Sequence, residues 1–347
     1  MTSRELVIQT LEFRNKSGRV PRDLWVLPWA EQNYGEELKA ILRDFPPDIV
    51  QIPNECKSYS TQPIWEGDAY ETGTYKDEWG VVWKNIGRGH WGEVKDSIVG
   101  ADDENWDDLS RVHFPEELLT IDTARVDAFC DSTEQFVIGN ELVRPFERMH
   151  FLRGAENLFI DLALENEGML LMLAKVHDFN CRMLEVWART KVDALFAMDD
   201  WGTQRSLLIN PDAWRKFFKP LYQDYVDIAH KSGKKIFFHS DGYTLDIVED
   251  LIDVGFDAVN LQIFAIGIDK LAPFKGRITF WGEMDRQHLL PKGTPEEIDA
   301  AVGSVYETLW APEKGGAIAQ CEFGPGANPR NVRRMFEAWD TKSIAKE

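Results

Sequence analysis

From about residue 130 onward, short apolar runs alternate with longer stretches of helical spacing. The runs lie at 136–140 (FVIGN), 192–198 (VDALFAM), 234–238 (KKIFF), 257–262 (DAVNLQ), 278–282 (ITFWG) and 315–320 (GGAIAQ). Each is short and apolar or β-rich, the pattern of parallel strands covered on both faces. Between them, Trp214, Phe218, Leu221, Tyr225 and Ile228 mark one face of a helix over about 211–231. Leu245, Val248, Leu251 and Ile252 form the stripe of another. Start signals agree: Asn210-Pro211-Asp212 sets a cap, a first-turn proline and a first-turn acid in order. Thr294-Pro295-Glu296-Glu297 reads as a capping box.

Regular strand–helix alternation predicts an α/β fold with a parallel sheet. Adding DIVQIP (48–53) and a strand near 80–84 brings the count to eight, which predicts a (β/α)8 TIM barrel in a single domain. Such a barrel needs about 250 residues, and this chain has 347. The surplus falls at 54–120, where the alternation breaks and Trp65, Trp79, Trp83, Trp91 and Trp106 stand among glycines and acidic residues. This segment reads as an inserted lid, its tryptophans stapling it to the barrel or lining a pocket.

Charge narrows the partners. The chain carries 39 Lys and Arg against 59 Asp and Glu, a net −20 with His neutral. That field repels nucleic acid and disfavours substrates with many carboxylates. The first residues, MTSRELVIQTLEFRNKSGR, are charged throughout and lack an apolar signal core. No apolar run reaches the roughly 18 residues of a membrane span. Cys56, Cys130, Cys181 and Cys321 show no disulfide or CxxC spacing. The expectation is a cytoplasmic protein with reduced thiols.

In such a barrel the chemistry sits at the C-terminal ends of the strands. Those ends carry Asp199 and Asp200, then His239 and Asp241, Gln262, Glu283 and Asp285, and finally Cys321 and Glu322. The stretch KKIFFHSDGY (234–243) shows the pattern at its sharpest: an apolar stave, a polar tip, and Gly242 to turn the chain away. Histidine, cysteine and carboxylate form the ligand set of zinc, with one position open in catalytic sites. His239, Cys321 and one of Asp241 or Glu283 would supply three ligands. Asp199, Asp200 or Gln262 would orient a substrate or hold His239 in its tautomer. The same residues admit plainer roles: a structural His, a small buried Cys, a helix-capping Asp199-Asp200 turn, and an Asp285 that caps the next segment or pairs with Arg286. They also admit a metal-free hydrolase or lyase with Glu283 and Asp199 or Asp200 as a carboxylate pair, or a barrel that only binds a ligand. His90, His113, His150 and His177 have no local pattern that singles them out.

The run DDWGTQRSLLINPDAWRKFFKPLYQDYVDIAHKSGKKIFFHSDG, followed by ITFWGEMDRQHLLPKGTPEEI, resembles the uroporphyrinogen decarboxylase-like superfamily. The resemblance implies a TIM barrel and leaves two chemistries. True uroporphyrinogen decarboxylases hold substrate carboxylates with an N-terminal Arg-Gln-Ala-Gly-Arg stretch; here the region reads NKSGRVPRDLWVLPWAEQ and lacks it. The other branch comprises zinc methyltransferases that exchange methyl groups between a small molecule and a corrinoid protein. Its coenzyme M-type members look like His-x-Cys on one strand tip plus a distant Cys. His239 and Cys321 match, and Asp241 replaces the first Cys. An oxygen-rich zinc suits polarising a methyl ether better than activating a thiol. The resemblance therefore implies demethylation of an aromatic ether or a methylated sugar, in preference to methyl transfer from corrinoid to a thiol or folate. Implied cofactors are Zn²⁺ and a corrinoid on a separate protein. The implied partners are that protein, the methylated small molecule and a second copy in a homodimer.

Overall fold

The computed structural model describes residues 1–90, 92–100, 106, 109–139 and 141–344; Trp91 and Asn140 lie outside them. Among the described residues, eleven strands follow in chain order: β1 (Arg22–Val26), β2 (Ile49–Gln51), β3 (Gly73–Lys76), β4 (Val82–Asn85), β5 (Glu93–Asp96), β6 (Phe136–Ile138), β7 (Ala194–Met198), β8 (Lys235–Ser240), β9 (Ala258–Leu261), β10 (Thr279–Trp281) and β11 (Ala317–Phe323). Eight of them form one sheet in the order β1-β11-β10-β9-β8-β7-β6-β2. Every pairing in it is parallel. The ends meet where the Asp48 amide donates to the Arg22 carbonyl at 2.8 Å and the Arg22 amide donates to the Asp48 carboxylate at 2.9 Å. The result is a nearly closed (β/α)8 barrel.

One staff of the barrel differs from expectation. The eighth strand is β1, and the segment near 80–84 instead contributes β4 to a three-stranded antiparallel sheet with β3 and β5. That small sheet lies within 54–120, between β2 and the helix Thr123–Ser132. Asp77 ties it to the barrel: its carboxylate accepts from the amides of Trp79 and Val81, from the Trp83 indole and from Arg148 at 2.8–3.2 Å. Trp79, Trp83 and Trp106 are buried, whereas Trp65 is exposed.

Side chains alternate across each barrel strand, and this decides what reaches the site. Ile49, Phe136, Ile138, Ala194, Phe196, Phe237, Ala258, Trp281 and Ile318 fill the interior, and Val7 and Leu11 of the N-terminal helix Ser3–Leu11 plug its base. The opposite phase, including Leu24, Leu195, Ala197, Phe238, Val259, Phe280, Ala319 and Cys321, packs under the helices. The predicted helix over 211–231 is two helices, Pro211–Phe217 and Lys219–Lys231, because Pro220 has no N–H to continue the ladder. The Asn210 cap and the Thr294/Glu297 capping box are both present.

Candidate active site

The C-terminal mouth of the barrel opens into a cavity of about 1080 Å³ lined by Trp25, Phe196, Met198, Asp200, His239, Asp241, Arg286 and Glu322, with Arg144 and Glu147 at one side. His239 is in the inward phase of β8, two residues beyond Phe237. Its Nδ1 meets the Asn260 Oδ1 at 2.6 Å. That contact assigns the proton to Nδ1 and leaves Nε2 facing the Asp200 Oδ1 at 3.5 Å and the Asp241 Oδ1 at 3.6 Å. Asn260 is itself anchored, donating to the Trp281 carbonyl and to the Gln320 Oε1. The Trp25 ring packs on His239 with centroids 5.3 Å apart.

Asp200, His239 and Asp241 offer one ligand atom each within 4.8 Å of one another. Two metal–ligand bonds of about 2.1 Å at a tetrahedral angle separate their donor atoms by about 3.4 Å, close to both His239 spacings. The Asp241 Oδ1 is buried without a hydrogen-bond partner. The imidazole has its Nδ1–H held by an amide oxygen and an Nε2 that can give up its proton to an incoming cation; with the two carboxylates it fits a divalent cation. Electrostatics agree that a positive charge belongs here. Burial resists protonation of His239, yet Asp200 and Asp241 lift it to about 9. Burial likewise opposes ionisation of Asp200, and His239 outweighs it, drawing that carboxyl below its usual range.

The remaining predicted residues lie elsewhere. Asp199 follows the outward phase of β7 and is fully buried. It accepts from the amides of Phe146 at 3.1 Å and Glu147 at 2.7 Å, and from the Tyr222 hydroxyl at 2.6 Å. It caps the helix Pro145–Arg153 across the fold and lines neither the mouth cavity nor the small cavity behind Arg286. Cys321 is also in the outward phase, packed in the apolar layer, and burial pushes its thiol well up. The strand runs on to Phe323, so Cys321 is inside β11 and not at its tip, and Gln320 and Glu322 take the inward positions. The structure thus separates Cys321 from the His239 group. Glu283 and Gln262 line a separate small cavity of about 280 Å³ behind Arg286. Glu283 pairs with Arg286 at 3.2 Å, and burial raises it to about 8. Gln262 accepts from the Gly242 amide at 3.1 Å. Asp285 caps the next turn, accepting from the amides of Gln287 and His288. A carboxylate pair of Glu283 with Asp199 or Asp200 is not brought together in one cavity.

Three groups at the mouth escape a reading of strand tips. Arg286 bonds Asp241 and Glu283 and reaches Glu322 at 3.4 Å. Glu147 is buried, its Oε2 has no hydrogen-bond partner, and burial raises its carboxyl to about 7. Arg144 precedes Pro145, the first residue of that helix. A proline at a helix start soon after a strand marks the strand–helix turn that faces a barrel mouth. Arg144-Pro145, just after the Phe136–Ile138 strand, is the sequence signal that could have singled out Arg144 and Glu147.

Comparison with protein families decides the assignment: the model described as uroporphyrinogen decarboxylase (URO-D) matches residues 128–341. The chain belongs to the URO-D family. Among solved structures it is similar to a methyltransferase from Methanosarcina mazei, at a TM-score of 0.64 and 15% identity over 98% of this chain and 99% of that one. A 3-keto-D-glucoside 4-epimerase from E. coli aligns at a TM-score of 0.38 and 12% identity, over 63% of this chain and 84% of that one. The first shares this URO-D chain's fold from end to end; the second is too distant to bear on it. Comparison with curated proteins finds no significant match. Among the described residues, no helix is long and apolar enough to cross a membrane.

Proposed function

We propose that this URO-D family chain is a methyltransferase that removes a methyl group from a small O-methyl substrate and passes it to a corrinoid carried by a separate protein. Asp200, His239 and Asp241 would hold a divalent metal, zinc by its donor set. The single observation behind this reading is the convergence of those three side chains in the mouth cavity. The full-length fold match to a methyltransferase supports it. Cys321 and Glu283 are left out of the ligand set because they face other compartments.

A zinc ion there would supply Lewis acidity to an ether oxygen. The chain's own groups do the rest. Asn260 fixes the His239 tautomer, and Arg286 holds Asp241 from the far side. The aromatic wall of Trp25, Phe196, Tyr70 and Trp83 would give the methyl group an apolar surround. As the O–CH₃ bond breaks, its electron pair stays on the oxygen, and the Glu147 Oε2, unpartnered in the same cavity, can hand that oxygen a proton.

The test is metal content by plasma mass spectrometry together with methyl transfer to a reduced corrinoid protein. Wild type should carry near-stoichiometric metal, and His239→Ala should lose both metal and turnover. A metal-free wild type, or full turnover in His239→Ala, would refute the reading.

A further inference from the structure

Two cavities meet at Arg144. Besides the mouth cavity, one of about 880 Å³ runs beneath the insertion, lined by Tyr59, Tyr75, Trp79 and Phe179. Tyr70, Trp83, Phe151, Phe196 and Arg144 border both. The other lysine and arginine side chains on these walls are already matched. Lys57 lies 3.1 Å from Glu141. Arg148 donates to Asp77 at 2.9 Å and stacks over Trp79. Arg286 is shared among Asp241, Glu283 and Glu322.

Arg144 is different. Within 4 Å its guanidinium meets one carboxylate, Glu147, at 3.8 Å, beyond hydrogen-bond reach; Glu78 and Asp200 act on it only from farther away. Its Nε is buried with no partner among the described residues, and the Phe151 ring lies 5.8 Å away. The side chain is only 11% exposed. A guanidinium stays charged and carries five donors, and a charge withdrawn this far from water is normally paired. Here the protein leaves the pairing open at the junction of two aromatic-walled cavities.

We infer that Arg144 binds a carboxylate of the substrate, so that the methyl donor is an aromatic methyl ether bearing one carboxylate, of the methoxybenzoate class. This rests on the methyl-transfer reading for the role of the methoxy end, while the carboxylate end stands on Arg144 alone. A planar carboxylate matches the guanidinium fork with two parallel hydrogen bonds. The flat ring fits between Tyr70, Trp83, Phe151 and Phe196, and the cavity continues from there to Asp200, His239 and Asp241. One negative charge is what one arginine offsets. A phosphate dianion would meet the nearby acidic groups uncompensated. The chain's overall −20 does not oppose this, because distant surface charge is screened beyond about 8 Å while a desolvated partner is not.

The experiment is isothermal titration calorimetry with 3- and 4-methoxybenzoate against the neutral 3- and 4-methoxybenzyl alcohols. It uses wild type, Arg144→Met and Arg144→Lys, each with and without zinc. Wild type should prefer an acid over its alcohol by about tenfold or more. Arg144→Met should abolish the preference while keeping its affinity for the alcohol, which shows the cavity intact, and Arg144→Lys should retain part of it. The preference should survive removal of zinc, so loss of the metal reading and loss of this one are told apart. Equal binding of acid and alcohol to wild type, no binding of any of the four compounds, or an undiminished preference in Arg144→Met would overturn the inference.

Discussion

Replacing Asp23 with asparagine should remove a pH dependence of stability that the barrel floor builds in. Asp23 lies in the inward phase of β1 and is 5% exposed. Its Oδ2 accepts from the indoles of Trp25 at 3.1 Å and Trp281 at 2.9 Å. Burial outweighs those bonds and lifts the carboxyl from 3.8 to about 7. Because the folded value is the higher one, the folded protein keeps a proton that the unfolded chain has already released between those limits. The contribution of Asp23 to stability is therefore full below pH 3.8, falls as pH rises through the window, and is lost above pH 7. At about 1.4 kcal/mol per pH unit, the whole loss is about 4 kcal/mol, and about 3 kcal/mol of it falls between pH 5 and pH 8. Equilibrium urea unfolding of metal-free wild type and Asp23→Asn across that range reads it directly. The difference between the two proteins should move by about 3 kcal/mol in favour of the variant as pH rises. Parallel profiles would mean that Asp23 is ionised on the barrel floor and that this reasoning is wrong.

Three further outcomes follow from the geometry. Cys321→Ala should keep its metal, at a stability cost of about 1 kcal/mol for the lost packing; metal lost in plasma mass spectrometry while the circular dichroism spectrum stays native would return Cys321 to the ligand set. Asp199→Ala strands two amides and the Tyr222 hydroxyl in the interior, and urea unfolding should show a loss of about 3–5 kcal/mol. A loss under about 1 kcal/mol would deny its capping role. Gly242→Ala forces a side chain onto the Gly202 backbone at a φ of +81°, so a lowered melting temperature with weaker metal retention is expected, and unchanged values for both would sink the idea that these tips are clamped.

Much of the fold was legible because parallel barrel strands are covered on both faces and stand out as apolar runs. The strand that escaped, Arg22–Val26, lies just after Pro21 and carries Arg22 and Asp23, so it resembles a turn. Its polarity has a physical cause: Asp23 points at two indoles on the barrel floor. The segment near 80–84 misled for the opposite reason. Val82–Asn85 alternates buried Trp83 and Asn85 with exposed Lys84, the signature of an antiparallel sheet with one wet face. Listing strand tips named His239, Asp241 and Asp200, which the fold brings together at the mouth, but could not separate Asp199 from Asp200, or Cys321 from Glu322. Adjacent residues face opposite sides of a strand, and the phase follows only from knowing where each strand ends. Arg144, Glu147 and Arg286 come from loops and helix starts, which strand patterning does not register.

The two carboxylates beside His239 come from different strands, and the backbone explains how they are kept in register. Asp200 precedes Gly202, and Asp241 precedes Gly242. The Gly202 amide donates to the Asp241 carbonyl at 3.0 Å, and the Asp241 amide donates to the Asp200 Oδ1 at 2.9 Å. Each carboxylate-bearing turn is thus held by the other. The two glycines lie in direct backbone contact, so a Cβ on either would overlap the other chain. This approach costs nothing only where both residues lack a side chain. The same glycine that turns the chain away from β8 therefore also lets β7 close against it, and a site drawn from two separate strands becomes a single rigid constellation of the kind that a metal or a reacting group requires.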